Sequence, residues 1–455
     1  MANTAKHRLW VAPALFLACA VGVTGCSGGG GGIQSPSLAP TPAPPPPAVA
    51  PTIQVLPASF DFGRITTSNM SAPLQVTISN TGTVPLAISA ISLAGPSGGP
   101  YALTVGSGSK PCASATPTIA AADSCTIQVL FQPSVPGTFN STLQVSSNAS
   151  NVPTVSLPIS GTSEPVTGIS VRVNQLDNAC PGNNGAAFVS VTDQGGFTVL
   201  GLLAANFMIS QGASSLMPTS ATYVDQVIKP IAIAAVMDHS GSLTRQTIAF
   251  ADMKTGFSSL VGSIKAGDVM EIVKFASDYE VTQPFTSDKA ALQSAIAAPF
   301  SKGTNTLLYD SVYRAVDDTA LQANFRRAVI VATDGIDEGS TAGVPLSTHT
   351  LQQVIDNAVA KNVGIFAIGI GSSVNAAVLN QMASQTGGIY YQADASQNLA
   401  TIYQQLSTLL FTRQYVLTFA VTGPPSSTGP VKIAATLPSS SIGNDDTKSI
   451  TVCGP

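Results

Sequence analysis

The chain has 455 residues, of which 44% are hydrophobic, so it is long enough for several domains with packed cores. Only 9% of the residues are charged, against about 25% in an average soluble domain. The formal net charge is −4 and the isoelectric point is near 5.3, which excludes the basic surface expected of a nucleic-acid-binding protein. This composition favours an extracytoplasmic, β-rich protein over a cytosolic enzyme.

Residues 1–25 have the pattern of a signal peptide. A positively charged start precedes the apolar stretch Leu9–Val23, which is too short for a typical permanent membrane span. The sequence Val23–Cys26 resembles the bacterial lipobox, in which small residues precede a cysteine that becomes lipid-modified after cleavage. The alternative is an ordinary signal peptide with a chance cysteine. The lipoprotein interpretation predicts lipidation at Cys26, and Ser27 after it favours the outer membrane of a bacterial envelope.

Residues 26–52 are rich in glycine and then in proline. Glycine makes a chain flexible, a run of proline makes it extended, and neither composition can form a core. The sequence therefore predicts a tether that holds the folded domains away from a membrane.

Residues 53–163 alternate apolar and polar side chains in short runs that turn signals separate, which is the pattern of an all-β sandwich. Several phrases resemble immunoglobulin-like domains of the ASPM–SPD-2–Hydin type: Phe60–Gly63, Ser79–Gly82, Phe131–Pro133 and Ile159–Thr162. The resemblance implies a spacer or binding module that carries no catalysis.

Residues 164–225 are again strand-like, and so are Tyr415–Phe419 and Ile450–Val452 near the other end of the chain. We therefore expect a small β module formed by residues 164–225 and completed by residues 412–455.

The six cysteines include no Cys-x-x-Cys metal or redox pattern, and two of them fall in the leader region. Cys112 and Cys125 would close a short loop, and a disulfide is the default in an oxidising compartment. If these two pair, Cys180 is left with Cys453. That second disulfide would join the two parts of the β module.

Residues 226–411 alternate strands and helices, which predicts an α/β doubly wound, Rossmann-like domain with a mostly parallel sheet covered on both faces. Ser287 is placed to cap the helix that runs through Ala297. The predicted buried strands and the edge strand are Ile231–Met237, Val269–Phe275, Ala328–Thr333, Val363–Ile370 and Val281–Phe285.

Oxygen-bearing side chains follow two of these strands. Asp238, Ser240 and Ser242 come directly after the first strand. Asp334 follows the strand Ala328–Thr333, within the sequence Thr-Asp-Gly. Ligands of such sheets lie at the carboxyl ends of the strands. The loop Gly303–Asp310, which opens a helix, lies between them in the chain and supplies further hydroxyls.

The sequence Asp-x-Ser-x-Ser, a later threonine before Leu-Tyr-Asp, and Thr-Asp-Gly resemble a von Willebrand factor type A domain with a complete metal-ion-dependent adhesion site. The resemblance implies the strand order 3-2-1-4-5-6, and the β stretch before the domain looks like a module that precedes such domains in many secreted bacterial proteins. By position, the implied metal residues are Asp238, Ser240, Ser242, Thr306 and Asp334. Thr304 is the alternative to Thr306 as the threonine ligand.

These donors are all oxygens, which indicates Mg²⁺; Mn²⁺ fits as well, and Ca²⁺ fits less well because it takes more ligands. Neutral hydroxyls leave the metal electron-poor, so its open position favours an anionic oxygen such as that of a partner's Asp or Glu. Each residue also has an ordinary structural explanation. Ser240 or Ser242 could cap the amino terminus of a helix. Asp310 lies near a helix amino terminus, where the helix dipole stabilises a negative charge.

The sequence thus predicts a lipid-anchored envelope protein that binds an acidic group on a protein partner through a metal. The alternative is a structural or assembly lipoprotein in which the metal site stabilises an envelope complex. An enzyme is disfavoured, because the sequence shows no second metal cluster and no nucleophile elbow.

Overall fold

A computed structural model describes residues 50–94, 99–108, 110–177, 184–211, 214–227, 229–341, 343–372, 374–393, 396–420, 430–438 and 441–449. The predicted signal peptide, Cys26 and nearly all of the linker lie outside the described residues, as do Cys180, Cys453 and the predicted strand Ile450–Val452. None of the helices in the described parts combines the length and apolar character that a bilayer crossing needs.

The first domain consists of two β-sheets that share one core. Their hydrogen-bonded orders are β1-β3-β7-β5 and β2-β9-β8-β4-β6. Val76, Ile127 and Leu143 are fully buried between the sheets, because alternate side chains of each strand point to the same face. A disulfide joins Cys112 to Cys125. The strands are β1 Ile53–Leu56, β2 Phe60–Thr66, β3 Leu74–Asn80, β4 Leu86–Ala94, β5 Tyr101–Thr104, β6 Thr118–Ile119, β7 Ser124–Phe131, β8 Gly137–Ser147 and β9 Thr154–Glu164.

The β module combines strands from both sides of the α/β domain, in the sheets β10-β11-β21-β14 and β13-β12-β22-β23. β21 pairs with both β11 and β14, and β22 pairs with β12. The two distant parts of the chain therefore fold as one unit with a common apolar core. The strands are β10 Ile169–Asp177, β11 Asn184–Asp193, β12 Phe207–Gln211, β13 Ser214–Leu216, β14 Ser220–Tyr223, β21 Tyr415–Ala420, β22 Pro430–Thr436 and β23 Gly443–Ser449.

The α/β domain between them has a sheet of order β17-β16-β15-β18-β19-β20, which is parallel except at β17. The strands are β15 Ile231–Asp238, β16 Val269–Phe275, β17 Tyr279–Thr286, β18 Arg326–Thr333, β19 Gly364–Ile370 and β20 Tyr390–Ala393. The α-helices are α1 Gly241–Arg245, α2 Thr247–Ser263, α3 Lys289–Ala297, α4 Leu308–Ala320, α5 Leu351–Ala360, α6 Ala376–Thr386 and α7 Ser396–Thr408.

Every residue of the central strand β15 is buried, because helices cover both faces of the sheet. Ile233 points to the side covered by α2, α3 and α7, and Val236 points to the side covered by α4, α5 and α6. The predicted helix cap at Ser287 is wrong. Asp288 is the N-cap of α3, and its carboxylate accepts hydrogen bonds from the backbone of the first helical turn.

Asp193, at the end of β11, ties the sandwich to the β module. One carboxylate oxygen accepts hydrogen bonds from the Thr66 hydroxyl and, at 3.1 Å, from Asn69 Nδ2. The other accepts from the backbone N–H groups of Gly195 and Phe197 at 2.8 and 3.0 Å. The Phe197 side chain belongs to the core of the sandwich. The turn after β11 is therefore packed into the first domain.

Strand β10 contacts the α/β domain at the amino-terminal edge of its sheet. Asn174 Nδ2 donates to the carbonyl of Gly387 at 2.5 Å, and the backbone N–H of Arg327 donates to Gln175 Oε1 at 2.9 Å. Asn362 Nδ2 donates to the backbone of β10 at 2.9 Å. Arg327 lies at the start of β18, and Asn362 and Gly387 lie just before β19 and β20, so β10 contacts the amino ends of these strands. Their carboxyl ends lie at the opposite edge of the sheet.

Candidate metal centre

The predicted site residues come from three segments at the carboxyl edge of the sheet. Asp238 is the last residue of β15, and Ser240 and Ser242 lie at the start of α1. Asp334 follows β18, and β15 and β18 are parallel neighbours in register. Thr306 lies two residues before α4. The two strands bring Asp238 and Asp334 to the same edge of the sheet, because parallel neighbours end there together.

A chain of hydrogen bonds connects four of the five residues. Asp238 Oδ1 accepts from the backbone N–H of Ser240 at 2.6 Å. The hydroxyl oxygens of Ser240 and Ser242 are 3.0 Å apart, and the Ser242 hydroxyl donates to Asp334 Oδ1 at 2.9 Å. Ser240 occupies the N-cap position of α1, but its side chain accepts no hydrogen bond from the helix backbone. Its hydroxyl is directed to Ser242 instead.

Thr306, rather than Thr304, lies against Gly335, the residue after Asp334. Thr306 is buried, and a Cβ added to Gly335 would lie 3.2 Å from its hydroxyl oxygen. Its backbone N–H and carbonyl both pair with the backbone of Glu338 at 3.1 Å. The Thr304 side chain is exposed, and the Thr304 carbonyl accepts from the Gly241 N–H at 2.9 Å. This arrangement favours Thr306 as the metal residue.

Two further side chains orient the carboxylates. The Thr333 hydroxyl donates to Asp238 Oδ2 at 2.5 Å and accepts from the Gly335 N–H at 3.0 Å. Gln246 Nε2 donates to Asp334 Oδ2 at 2.5 Å. The sequence predicts neither role, because Thr333 is marked only as part of the Thr-Asp-Gly sequence and Gln246 belongs to no distinctive pattern. Hydrogen bonds of this kind fix the direction of metal-binding groups.

Burial disfavours the charged forms of both carboxylates. It raises the pKa of Asp238 to about 6, against hydrogen bonds from Thr333 and Ser240 that lower it, and the charge of Asp334 adds to the rise. Burial also raises the pKa of Asp334, which the Ser242 hydroxyl and the charge of Arg245 oppose. Two desolvated carboxylates in one place would be stabilised by a divalent cation.

The donor set fits a hard cation. Carboxylate and hydroxyl oxygens suit Mg²⁺, Mn²⁺ or Ca²⁺ and do not suit metals that prefer thiolate or imidazole ligands. Nowhere in the described residues do three or more His, Cys, Asp or Glu side chains form a group that could hold a metal ion. A metal at this edge would therefore depend on the hydroxyls as well as on the two carboxylates.

The neighbouring acids have structural roles. Asp310, in the first turn of α4, accepts hydrogen bonds from the backbone N–H groups of Thr348 and His349 at 3.0 and 2.8 Å. Asp337 Oδ1 accepts from the backbone N–H groups of Leu346, at 2.7 Å, and of the residue after it. Both carboxylates hold the loop before α5 against the start of α4.

His239, inside the Asp-x-Ser-x-Ser sequence, lies away from the donors. Its ring meets the rings of Phe250 and Phe300 edge-on, with centroids 4.9 and 5.3 Å apart. Burial, together with the charges of Lys274 and Lys254, lowers its pKa to about 3. The imidazole is neutral at physiological pH and packs as an apolar group.

Residues 232–405 match the family profile described as the von Willebrand factor type A domain. The α/β domain is therefore a domain of this type. No curated protein sequence matches the chain.

The solved structures that are similar to parts of this chain include one from a mussel and others from bacteria. Proximal thread matrix protein 1 from the mussel byssus is 19% identical, with a TM-score of 0.35 over 43% of this chain and 50% of that chain. The chain thus spans half the length of the mussel protein. A von Willebrand factor type A protein from Catenulispora acidiphila is 12% identical, with a TM-score of 0.36 over 62% and 72% of the two chains. The corresponding domain of the type V pili tip protein Mfa5 from Porphyromonas gingivalis is 15% identical, with a TM-score of 0.34 over 40% and 96%.

Proposed function

We propose that this protein is a lipid-anchored envelope protein that binds an acidic group of a partner protein through a divalent metal ion. The metal would be Mg²⁺, with Mn²⁺ and Ca²⁺ as alternatives. The residues that would hold it are Asp238, Ser240, Ser242, Thr306 and Asp334.

The observation that carries the proposal is the chain of hydrogen bonds that runs from Asp238 through the backbone N–H of Ser240 and the two serine hydroxyls to Asp334. It lies at the edge of the sheet that the β10 contacts leave free. When bound, the metal would supply a positive centre with an open position for a carboxylate oxygen. The side chains of Thr333 and Gln246 keep both aspartates in place before the partner arrives.

The second candidate is a structural role, in which the metal stabilises this lipoprotein within an envelope complex. Its support is the joint between the domains, where Asp193 and Phe197 anchor the β module in the sandwich. Such a joint suits a scaffold as well as a binding protein. The two candidates differ in whether the partner's attachment depends on the metal.

Capture from solubilised envelope separates the two candidates. The full-length protein, immobilised in detergent with Mg²⁺, is expected to retain a partner that a chelator releases, because the partner's carboxylate would be attached to the metal. Asp334→Ala is expected to retain none, and Asp356→Ala, which changes an exposed acid on α5, is expected to behave as wild type. A partner retained equally with chelator and by Asp334→Ala would support the structural role instead.

The membrane anchor is a separate part of the proposal and rests on the lipobox-like sequence before Cys26. Cys26→Ser is expected to abolish labelling of the protein by radioactive palmitate and to move it from the membrane to the soluble fraction. Cys19→Ser removes the other leader cysteine and is expected to change neither result. Persistent labelling of Cys26→Ser would show that the lipid is not attached at this residue.

A further inference from the structure

Arg245 lies beside the proposed metal site, although no sequence pattern marks it. It is the last residue of α1, one turn after Gly241, which separates the two serines of the site. A Cβ added to Gly241 would lie 3.1 Å from Arg245 Nη1 and 3.0 Å from Thr304 Cβ. The Arg245 side chain therefore runs back along the helix toward its amino terminus, as long helical side chains do. Its guanidinium therefore lies near Gly241 and Thr304, and its charge acts on Asp334.

The Arg245 guanidinium is available to a ligand. Its side chain is exposed, and it takes part in none of the ion pairs formed among the described residues. The neighbouring Gln246, not Arg245, holds the second oxygen of Asp334. A guanidinium is permanently charged and carries several N–H donors, so it can donate a charge-assisted hydrogen bond to one carboxylate oxygen.

Two exposed isoleucines lie close in the chain to residues of the same site. Ile248 is 70% exposed and lies two residues after Gln246; Ile336 is 47% exposed and lies two residues after Asp334. The 2.5 Å hydrogen bond between Gln246 and Asp334 joins the two segments that carry these isoleucines. An acidic ligand at the metal would thus have apolar surface next to it.

We infer that the partner's carboxylate is held at two points, with one oxygen at the metal and the other on the Arg245 guanidinium. Ile248 and Ile336 then select an acidic residue whose neighbours are apolar. This inference rests on the proposed function and specifies its partner. Charge complementarity supports it, because a dication with an adjacent arginine attracts a carboxylate and repels a basic segment.

Manganese provides the test, because bound Mn²⁺ accelerates the relaxation of water protons and this effect falls when a carboxylate displaces a bound water. The probe is the peptide acetyl-Leu-Asp-Leu-amide, titrated into the full-length protein loaded with Mn²⁺ in detergent. Arg245→Gln is expected to weaken binding of the peptide about tenfold, since it removes one hydrogen bond to a charged group. The affinity of the same variant for Mn²⁺ is expected to be unchanged or higher, because a positive charge beside the metal is lost.

Lys432→Gln, which removes an exposed charge from β22, is the matched control and is expected to change neither affinity. Arg245→Gln would overturn the inference if it left peptide binding at the wild-type level. A parallel loss of Mn²⁺ and peptide affinity would also overturn it, because Arg245 would then support the loop and not the ligand. A wild-type protein that binds no Mn²⁺ would instead overturn the proposed function itself.

The apolar contacts are tested by changing the neighbours of the acid. Wild type is expected to bind acetyl-Leu-Asp-Leu-amide several times more tightly than acetyl-Ser-Asp-Ser-amide, since each buried apolar group adds to the affinity. The double variant Ile248→Ser, Ile336→Ser is expected to bind both peptides equally and to keep its affinity for Mn²⁺. Equal binding of the two peptides by the wild type would exclude a role for the isoleucines.

Discussion

Saturating Mg²⁺ is expected to raise the midpoint of thermal unfolding of the central domain by about 5 to 10 °C, and Asp238→Ala is expected to abolish the rise. A ligand at 100 times its dissociation constant stabilises the folded state by about 2.7 kcal/mol if it does not bind the unfolded chain. Asp238 is completely buried and begins the hydrogen-bonded chain of donors, so its removal takes away one of the two carboxylates of the site.

The measurement compares unfolding of the full-length protein in Mg²⁺ and in chelator. Circular dichroism at helix-sensitive wavelengths follows the central domain, because the other domains consist mainly of strands. Asp356→Ala, which removes an exposed carboxylate from α5, is expected to keep the full metal-dependent shift. If the wild type unfolds at the same temperature in both buffers, the metal site proposed at this edge of the sheet does not exist.

The free energy of unfolding of the wild type is expected to fall as the pH rises, and Glu271→Gln is expected to make that fall smaller. Glu271 lies on β16, is 3% exposed, and has a carboxylate oxygen without a hydrogen-bond partner among the described residues. Burial, with a smaller contribution from the charge of Asp318, raises the pKa of Glu271 from 4.5 to about 8. The folded protein therefore keeps this proton at pH values where the unfolded chain has lost it.

The sign follows from linkage between protonation and folding. Where the folded state binds more protons than the unfolded state, the free energy of unfolding falls as the pH rises, here by about 1.4 kcal/mol per pH unit. The contribution of Glu271 is fully present below the unfolded value of 4.5 and is lost by the time the pH passes about 8. Glutamine does not titrate, so Glu271→Gln lacks this contribution to the slope.

Denaturant unfolding at pH 5 and pH 8 measures the effect as a difference between two variants. The control is Glu280→Gln, which makes the same change at a half-exposed glutamate on the edge strand β17, outside the core. Identical pH dependence of the wild type and Glu271→Gln would mean that Glu271 titrates alike in the folded and unfolded chains.

Patterns in consecutive residues are sufficient to predict a strand and its end where a buried strand ends abruptly in polar residues. The apolar run from Ile231 predicts a strand, and the structure has β15 there. The Asp-x-Ser-x-Ser sequence after it predicts site residues, and these lie at the end of β15 and the start of α1. The same reasoning places Asp334 after a second strand, and β18 ends at Thr333. These features follow from the sequence because strand burial and polar strand ends leave a strong signal in consecutive residues.

Other features depend on residues far apart in the chain, so consecutive residues carry little signal for them. Thr333 and Gln246 acquire their roles only when β15 and β18 lie side by side. The predicted cap of α3 lies one residue before the observed cap, because Ser287 and Asp288 are both good capping residues and the backbone decides between them. The N–H groups that surround Asp193 come from a turn, and no periodicity predicts a turn packed into another domain.

The pairing of β21 with both β11 and β14 has a mechanical consequence. The chain enters the central domain just after β14 and leaves it just before β21, so the two connections are held together by a ladder of hydrogen bonds. In the proposed function, tension from a bound partner would leave the domain through these ladders and through the contacts of β10, and would pass through the Asp193 turn toward the membrane. Antiparallel strands loaded along their length must lose many hydrogen bonds at once, so this arrangement resists pulling without any additional cross-link.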